Sequence, residues 1–213
     1  MAGTKDRRRA ILDAAARLIA RRGVRGLRVE ELAAEAGVSK ALVYYHFEDR
    51  AGLLRGTLAF VGARAERCAR SGPPDRDGPG APLAELERRL LREIDDVPEV
   101  REHSAARGEL RAGAVFDPEL REELERSSGA WVREVADLLA GVAPGLPDRE
   151  LVAAAERLTA LVEGLGTRWL IGILPVAHAR TLLREAVAAE AHHLGLPDRR
   201  KAAHDDAHAG LTA

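Results

Sequence analysis

The sequence predicts an all-α protein, with an N-terminal three-helix helix-turn-helix unit followed by a larger helical bundle. Three observations lead there. The chain is 46% hydrophobic but only 3% aromatic, and it is rich in Ala, Leu, Arg and Glu, which lose little freedom in a helix. Val and Ile do not gather in alternating runs, so the period-two signal of strands is missing. Apolar residues instead recur at three- and four-residue spacing along most of the chain, the period of a helix with one buried face.

Residues 5–22 form the first amphipathic helix, with Ile11, Ala15, Leu18 and Ile19 on one face and Gly23 closing it. This helix braces the helix-turn-helix. Glu30 to Phe47, EELAAEAGVSKALVYYHF, reads as two short helices around a glycine turn. Leu32, Ala33 and Ala36 give the first a compact apolar stripe. Gly37 stops it, where a side chain would resist a left-handed backbone. Val38 turns back to the core, and Ser39 caps the next helix by accepting a free backbone N–H. In that helix Val43 and Phe47, four apart, face inward, which leaves Ala41 and Tyr45 on the far side flanked by Leu42, Tyr44 and His46. So short a helix with its aromatics outside is not stable alone, and its outer face points to a partner. Helix, glycine turn and outward-facing polar and aromatic helix is the helix-turn-helix arrangement.

Asp49 caps a helix over roughly 50–70 that carries Leu53, Leu54, Leu58 and Val61 out of the small basic unit. SGPPDRDGPGAP, 71–82, has no apolar periodicity and reads as a mobile loop. Helical spacing resumes over 83–95 and 98–114. Asp117-Pro118 opens a long helix to about 140, with Pro in the favoured first turn, and Pro144-Gly145-Leu146-Pro147 breaks it. A helix over 148–173 has Leu158, Leu161, Val162, Leu165 and Trp169 on one stripe. Pro175 starts the last, marked by Val176, Ala179, Leu182, Leu183, Ala186, Val187 and Leu194. The organisation that results is 1–50 for the helix-turn-helix, 51–196 for the bundle, and a disordered tail over 197–213.

AGVSKALVYYHFEDRAGLL, with IARRGVRGLRVEELA before it, closely resembles the signature of the tetracycline-repressor (TetR) family. The order of helices in the second part, with DPELREELE, LVEGLG and a Pro-started final helix, is similar to its BetI-like subgroup. This resemblance implies a double-stranded DNA operator as partner, a small-molecule effector, and a homodimer built from the last two long helices. It also implies that Tyr44, His46 and Arg50 touch phosphates while Lys40 and Tyr45 reach the groove floor. Two positions depart from the family pattern. Arg28 stands where Thr is usual at the start of the second helix, exchanging a hydroxyl for a guanidinium. Ala41-Leu42 stands where Gly-Thr is common, which leaves base preference open. The DNA-facing set is therefore Arg28, Ser39, Lys40, Ala41, Leu42, Tyr44, Tyr45, His46 and Arg50. Their chemistry suits the task, since Lys40 can reach a phosphate or a guanine edge and Ala41 and Leu42 can meet a thymine methyl. Tyr44 and His46 can donate to phosphate oxygens and fix register.

Charge agrees with a local phosphate-binding surface. The net charge is −1, yet residues 1–28 hold nine basic groups (Lys5, Arg7, Arg8, Arg9, Arg17, Arg21, Arg22, Arg25, Arg28) against Asp6 and Asp13. The remainder is acidic, so the basic end stands out. A single Cys68 excludes an internal disulfide and suits a reducing compartment. Without a membrane-spanning run or a signal segment, the reading is a cytoplasmic protein with no membrane partner.

An effector pocket is expected inside the second bundle, with Phe60, His103, Arg107, Phe116, Trp131, Glu163, Thr167 and Trp169 as candidates. Two Trp and a few polar groups in an Ala/Leu lining suit a largely apolar molecule. Taken singly, Trp169 on its apolar stripe reads as core and His103 as a surface or satisfied histidine. No catalytic site, metal site or cofactor is expected. His192-His193 and His204/His208 lack a third ligand at useful spacing, and no phosphate-binding glycine loop or nucleophile elbow occurs. Two other readings remain open: a helical enzyme or small-molecule binder with a vestigial helix-turn-helix, and a regulator or activator without an effector.

Overall fold

A computed structural model describes residues 4–70 and 81–195, with the side chains of residues 4 and 63–70 outside the description. The expected loop therefore lies outside the described residues over 71–80, as do the side chain of Cys68 and the tail 197–213 with His204 and His208. Among the described residues there are nine α-helices and no strand: α1 Thr4–Arg22, α2 Val29–Ala36, α3 Lys40–Phe47, α4 Arg50–Arg70, α5 Ala81–Leu91, α6 Pro98–Ala114, α7 Pro118–Val142, α8 Asp148–Leu170 and α9 Val176–His193. One turn of 3-10 helix, Val24–Gly26, links α1 to α2.

Local chemistry explains most boundaries. Gly37 ends α2 in the left-handed region, at φ 64°. Asp117 caps α7 by accepting the N–H groups of Glu119 and Leu120, each at 3.1 Å, and Pro118 takes the first turn. The sequence expectation for α5 differs at both ends. Ala81 and Pro82 belong to its first turn, where Pro is tolerated because its missing N–H would have no partner. The helix stops at Leu91 instead of 95, yet Ile94 remains fully buried. Arg180 of α9 binds the carbonyls of Leu91 at 2.8 Å and Ile94 at 2.6 Å, satisfying oxygens at the end of α5 that helix geometry leaves free.

Two apolar cores run through the molecule. The first is built on Ile11, Ile19, Leu32, Val43, Phe47, Leu53 and Leu58, and it draws in Ala106, Leu110 and Ala114 of α6 and Leu120 of α7. The second gathers α5, the C-terminal part of α7, α8 and α9 around Leu90, Ile94, Leu139, Leu158 and Leu183. Helix α6 packs on α1, α4, α7 and α8. Like α7, it touches both halves of the chain.

Candidate nucleic-acid interface and effector cavity

Helix α3 is held from within and bare outside. Val43 and Phe47 are buried, so the helix is anchored by residues four apart on one face. Ser39 Oγ accepts the Leu42 N–H at 3.2 Å, and Asp49 Oδ1 accepts the Gly52 N–H at 2.7 Å at the start of α4. The opposite face carries Tyr45, 76% exposed, and Tyr44, 40% exposed, with Lys40 and Ala41 also exposed and Leu42 half-buried.

The other expected DNA contacts are placed unevenly. Arg28 is exposed at the N-terminal boundary of α2. Lys40 pairs with Glu30 across the turn; that hydrogen bond, with the charge of Glu30, pushes the Lys40 ammonium up, and the same bond, with a backbone hydrogen bond and the charge of Lys40, holds the Glu30 carboxyl down. Arg50 donates to the Val24 carbonyl, which ties the beginning of α4 to the turn after α1. The His46 ring lies between Tyr45 and Phe47, its centroid 5.4 and 6.1 Å from theirs. Its Nε2 is buried without a partner, leaving Nδ1 as the nitrogen that can serve a ligand. Arg8 stacks over the Phe47 ring at 5.1 Å, adding a cation near the end of α3 that the helix-turn-helix pattern alone does not reveal.

The eight pocket candidates do not converge. Arg107, Trp131 and Glu163 line a cavity of about 40 Å³ between α4, α5, α6, α7 and α8. The other five lie elsewhere. Phe60 belongs to the first core. Trp169 is buried in the second, under the Arg101 guanidinium at 5.0 Å. Phe116 is 85% exposed at the turn between α6 and α7. The Thr167 hydroxyl donates to the Glu163 carbonyl on its own helix, and half-buried His103 on α6 is not part of the lining.

Sequence reading named Arg107 and Glu163 but missed Arg89, Glu93 and Arg111, the other charged residues of the lining. Arg89, only 3% exposed, donates to both oxygens of Glu134 at 2.9 and 3.1 Å and to Glu93 at 3.3 Å. Its guanidinium also covers the Trp131 ring at 4.5 Å. Arg107 donates to the second oxygen of Glu93 at 2.9 Å, and Arg111 to Glu163 at 2.6 Å. Burial lowers the pKa of Arg111; Glu163 opposes that shift and the neighbouring Arg107 adds to it. The available signal was Arg107 and Arg111 at i, i+4, two like charges sharing one face of α6.

Helix α6 also reaches the helix-turn-helix directly. Glu109 accepts the Val24 N–H at 3.1 Å, and a Cβ at Gly23 would stand 2.8 Å from the same carboxylate. Among the described residues no helix is long and apolar enough to cross a membrane. Among the described residues no group of three or more His, Cys, Asp or Glu is placed to hold a metal ion.

Comparison with known proteins agrees with this architecture. Residues 11–57 match the family described as bacterial regulatory proteins, tetR family. Residues 82–192 match the C-terminal region of BetI-type transcriptional repressors. The HTH-type transcriptional regulator BetI of Cronobacter sakazakii is 30% identical over 197 residues, covering 88% of this chain and 94% of that protein. A Rhodococcus sp. structure assigned to TetR-family regulators is 43% identical with a TM-score of 0.77, over 85% of this chain and 96% of that one. A regulator structure from Saccharomonospora viridis, solved in complex with choline, is 27% identical with a TM-score of 0.68, over 84% and 93% of the two chains. With both parts of the chain matched in the same order, the protein belongs to the TetR family of transcriptional regulators and carries a C-terminal region of the BetI type.

Proposed function

We propose that this regulator is a cytoplasmic repressor that binds a palindromic operator as a homodimer and is released by a small-molecule effector. Residues 1–50 form the DNA-binding unit in this reading, and residues 51–196 the effector-binding and dimerisation unit. The observation that carries it is the outer face of α3: Tyr45 stands 76% exposed on a helix whose inner face is locked by Val43 and Phe47. An aromatic left in water on an anchored helix fits the floor of a major groove, with Lys40, Ala41 and Leu42 beside it for base edges. Tyr44, His46 through Nδ1, Arg28 and Arg50 supply phosphate contacts that set register.

A two-fold dimer places two such helices in successive major grooves, about 34–36 Å apart. The cavity beside α6 supports the effector, and the complex of a relative with choline shows that a protein of this fold takes up a small molecule. A ligand that favours a dimer with mis-spaced α3 helices lowers operator affinity by shifting the population. The test starts with selection of bound fragments from random DNA. On the selected site, Tyr45→Ala should weaken binding by about 1–3 kcal/mol while the dimer persists in sedimentation. Unchanged binding would remove α3 from the groove.

A further inference from the structure

Helix α6 aims two guanidinium groups, Arg107 and Arg111, into the cavity one turn apart, and the carboxylates around them are already engaged. Glu93 uses one oxygen for Arg89 and the other for Arg107, and Glu134 gives both to Arg89. Glu163 binds Arg111 through one oxygen only. Donors are left over. The Arg107 Nε is buried with no acceptor, and each guanidinium carries five N–H groups of which Arg107 and Arg111 each place one on a carboxylate. Such an orphaned buried donor is costly and marks a place where an acceptor is missing.

The aromatic lining points the same way. Trp131 is the aromatic residue of the cavity wall, and the Arg89 guanidinium already covers one face of its ring at 4.5 Å. A quaternary ammonium is held by several open aromatic faces, whereas here it would sit among three guanidinium groups. Leu58 and Leu124 add apolar side chains to the lining.

Building on the reading of an effector-released repressor, we propose that the effector is a small organic anion, a carboxylate with a compact apolar body. Its head group lies between Arg107 and Arg111 and its body against Leu58, Leu124 and Trp131. A carboxylate accepts bidentate bonds from a guanidinium and supplies the acceptor that Arg107 Nε lacks. It also competes with Glu163 for Arg111 and so loosens the tie between α6 and α8. The anion also offsets the cost of burying the Arg111 charge. The volume of about 40 Å³ admits the head group, and separation of α6 from α8 makes room for the rest.

The experiment is calorimetric titration of the full chain with four probes (isobutyrate, benzoate, benzamide and choline), paired with release of the selected operator. Benzoate or isobutyrate should bind saturably and release DNA, at least about ten-fold more tightly than benzamide or choline. Arg107→Gln and Arg111→Met, chosen at two positions in case one perturbs folding, should each weaken the carboxylate about ten-fold or more. Tighter binding of choline or benzamide, or carboxylate binding indifferent to both substitutions, would overturn the anionic assignment and leave the effector reading standing. No binding and no DNA release by any probe would overturn both.

Discussion

Several single positions decide the corner that presents α3. A Cβ at Gly52 would stand 2.3 Å from the Phe47 carbonyl oxygen, a backbone atom that cannot swing aside. Gly52→Ala should therefore lower stability by about 1–3 kcal/mol, and thermal unfolding checks it. Gly56→Ala meets the edge of the Phe47 ring at 3.1 Å, a side chain at a longer distance instead of backbone, and should cost less. Gly37 differs in kind: no atom lies within 4 Å of its Cβ, but its φ of +64° makes Gly37→Ala cost about 1 kcal/mol through the backbone alone. Gly37, Ser39, Val43 and Phe47 were legible in the sequence because caps and helical period are local. Gly52 and the Glu109 contact with Val24 were not. The first depends on how sharply the corner between α3 and α4 turns Phe47 back on Gly52, and the second on a residue 85 positions away from Val24.

At the scale of elements, α1 and α2 are joined by ion pairs as well as by apolar packing. Glu35 accepts from Arg17 at 2.9 Å and also pairs with Arg21, and Arg22 pairs with Glu31. Burial works against ionisation of Glu35, but the hydrogen bonds from Arg17 and Arg21 outweigh it and hold its carboxyl below the usual 4.5. Since the folded value is the lower one, the tie contributes fully at neutral pH. It fades as pH falls below 4.5 through the folded value. Glu35→Gln should accordingly lower the melting temperature at pH 7, by less than about 1 kcal/mol in stability for so solvated a pair. The gap to the parent protein should close on acidification, and melting curves across that range measure it. The helices themselves were largely readable, most cleanly at Asp117-Pro118, where cap and first-turn proline coincide. The extent of α5 was not, because Arg180 from a distant helix closes its end. The buried Arg89 was equally hidden: an arginine on an amphipathic helix reads as solvent-facing until Glu93, Glu134 and Trp131 are seen around it.

For the whole molecule, the proposed dimer makes a sharp demand on α8. Gly164 is exposed in mid-helix, and a side chain there meets nothing within 4 Å in the protomer. Replacing glycine inside a helix favours the helix by up to about 1 kcal/mol, so Gly164→Glu should leave the protomer as stable or more so. If α8 lies in the two-fold interface, the same change inserts opposed carboxylates. The expected result is a monomer in sedimentation and loss of operator binding. The selected operator should also release steeply with added salt, because each phosphate neutralised by the basic N-terminal unit returns its counterion when the complex parts. The TetR-like order of helices could be read along the chain, yet the pocket chemistry could not. Three of the eight expected residues meet at the cavity, and the arginine–glutamate set that surrounds them is assembled from α5, α6, α7 and α8.

Helix α6 presents Arg107 and Arg111 to the cavity and Glu109 to the turn before α2 on a single stretch of backbone. Linkage through such a shared strut runs in both directions. Whatever factor the effector takes from operator affinity, the bound operator must take from effector affinity. Titrating ligand into the protein–DNA complex should therefore return a dissociation constant raised by that same factor, and cutting the Glu109 contact with Glu109→Gln should bring both factors toward one.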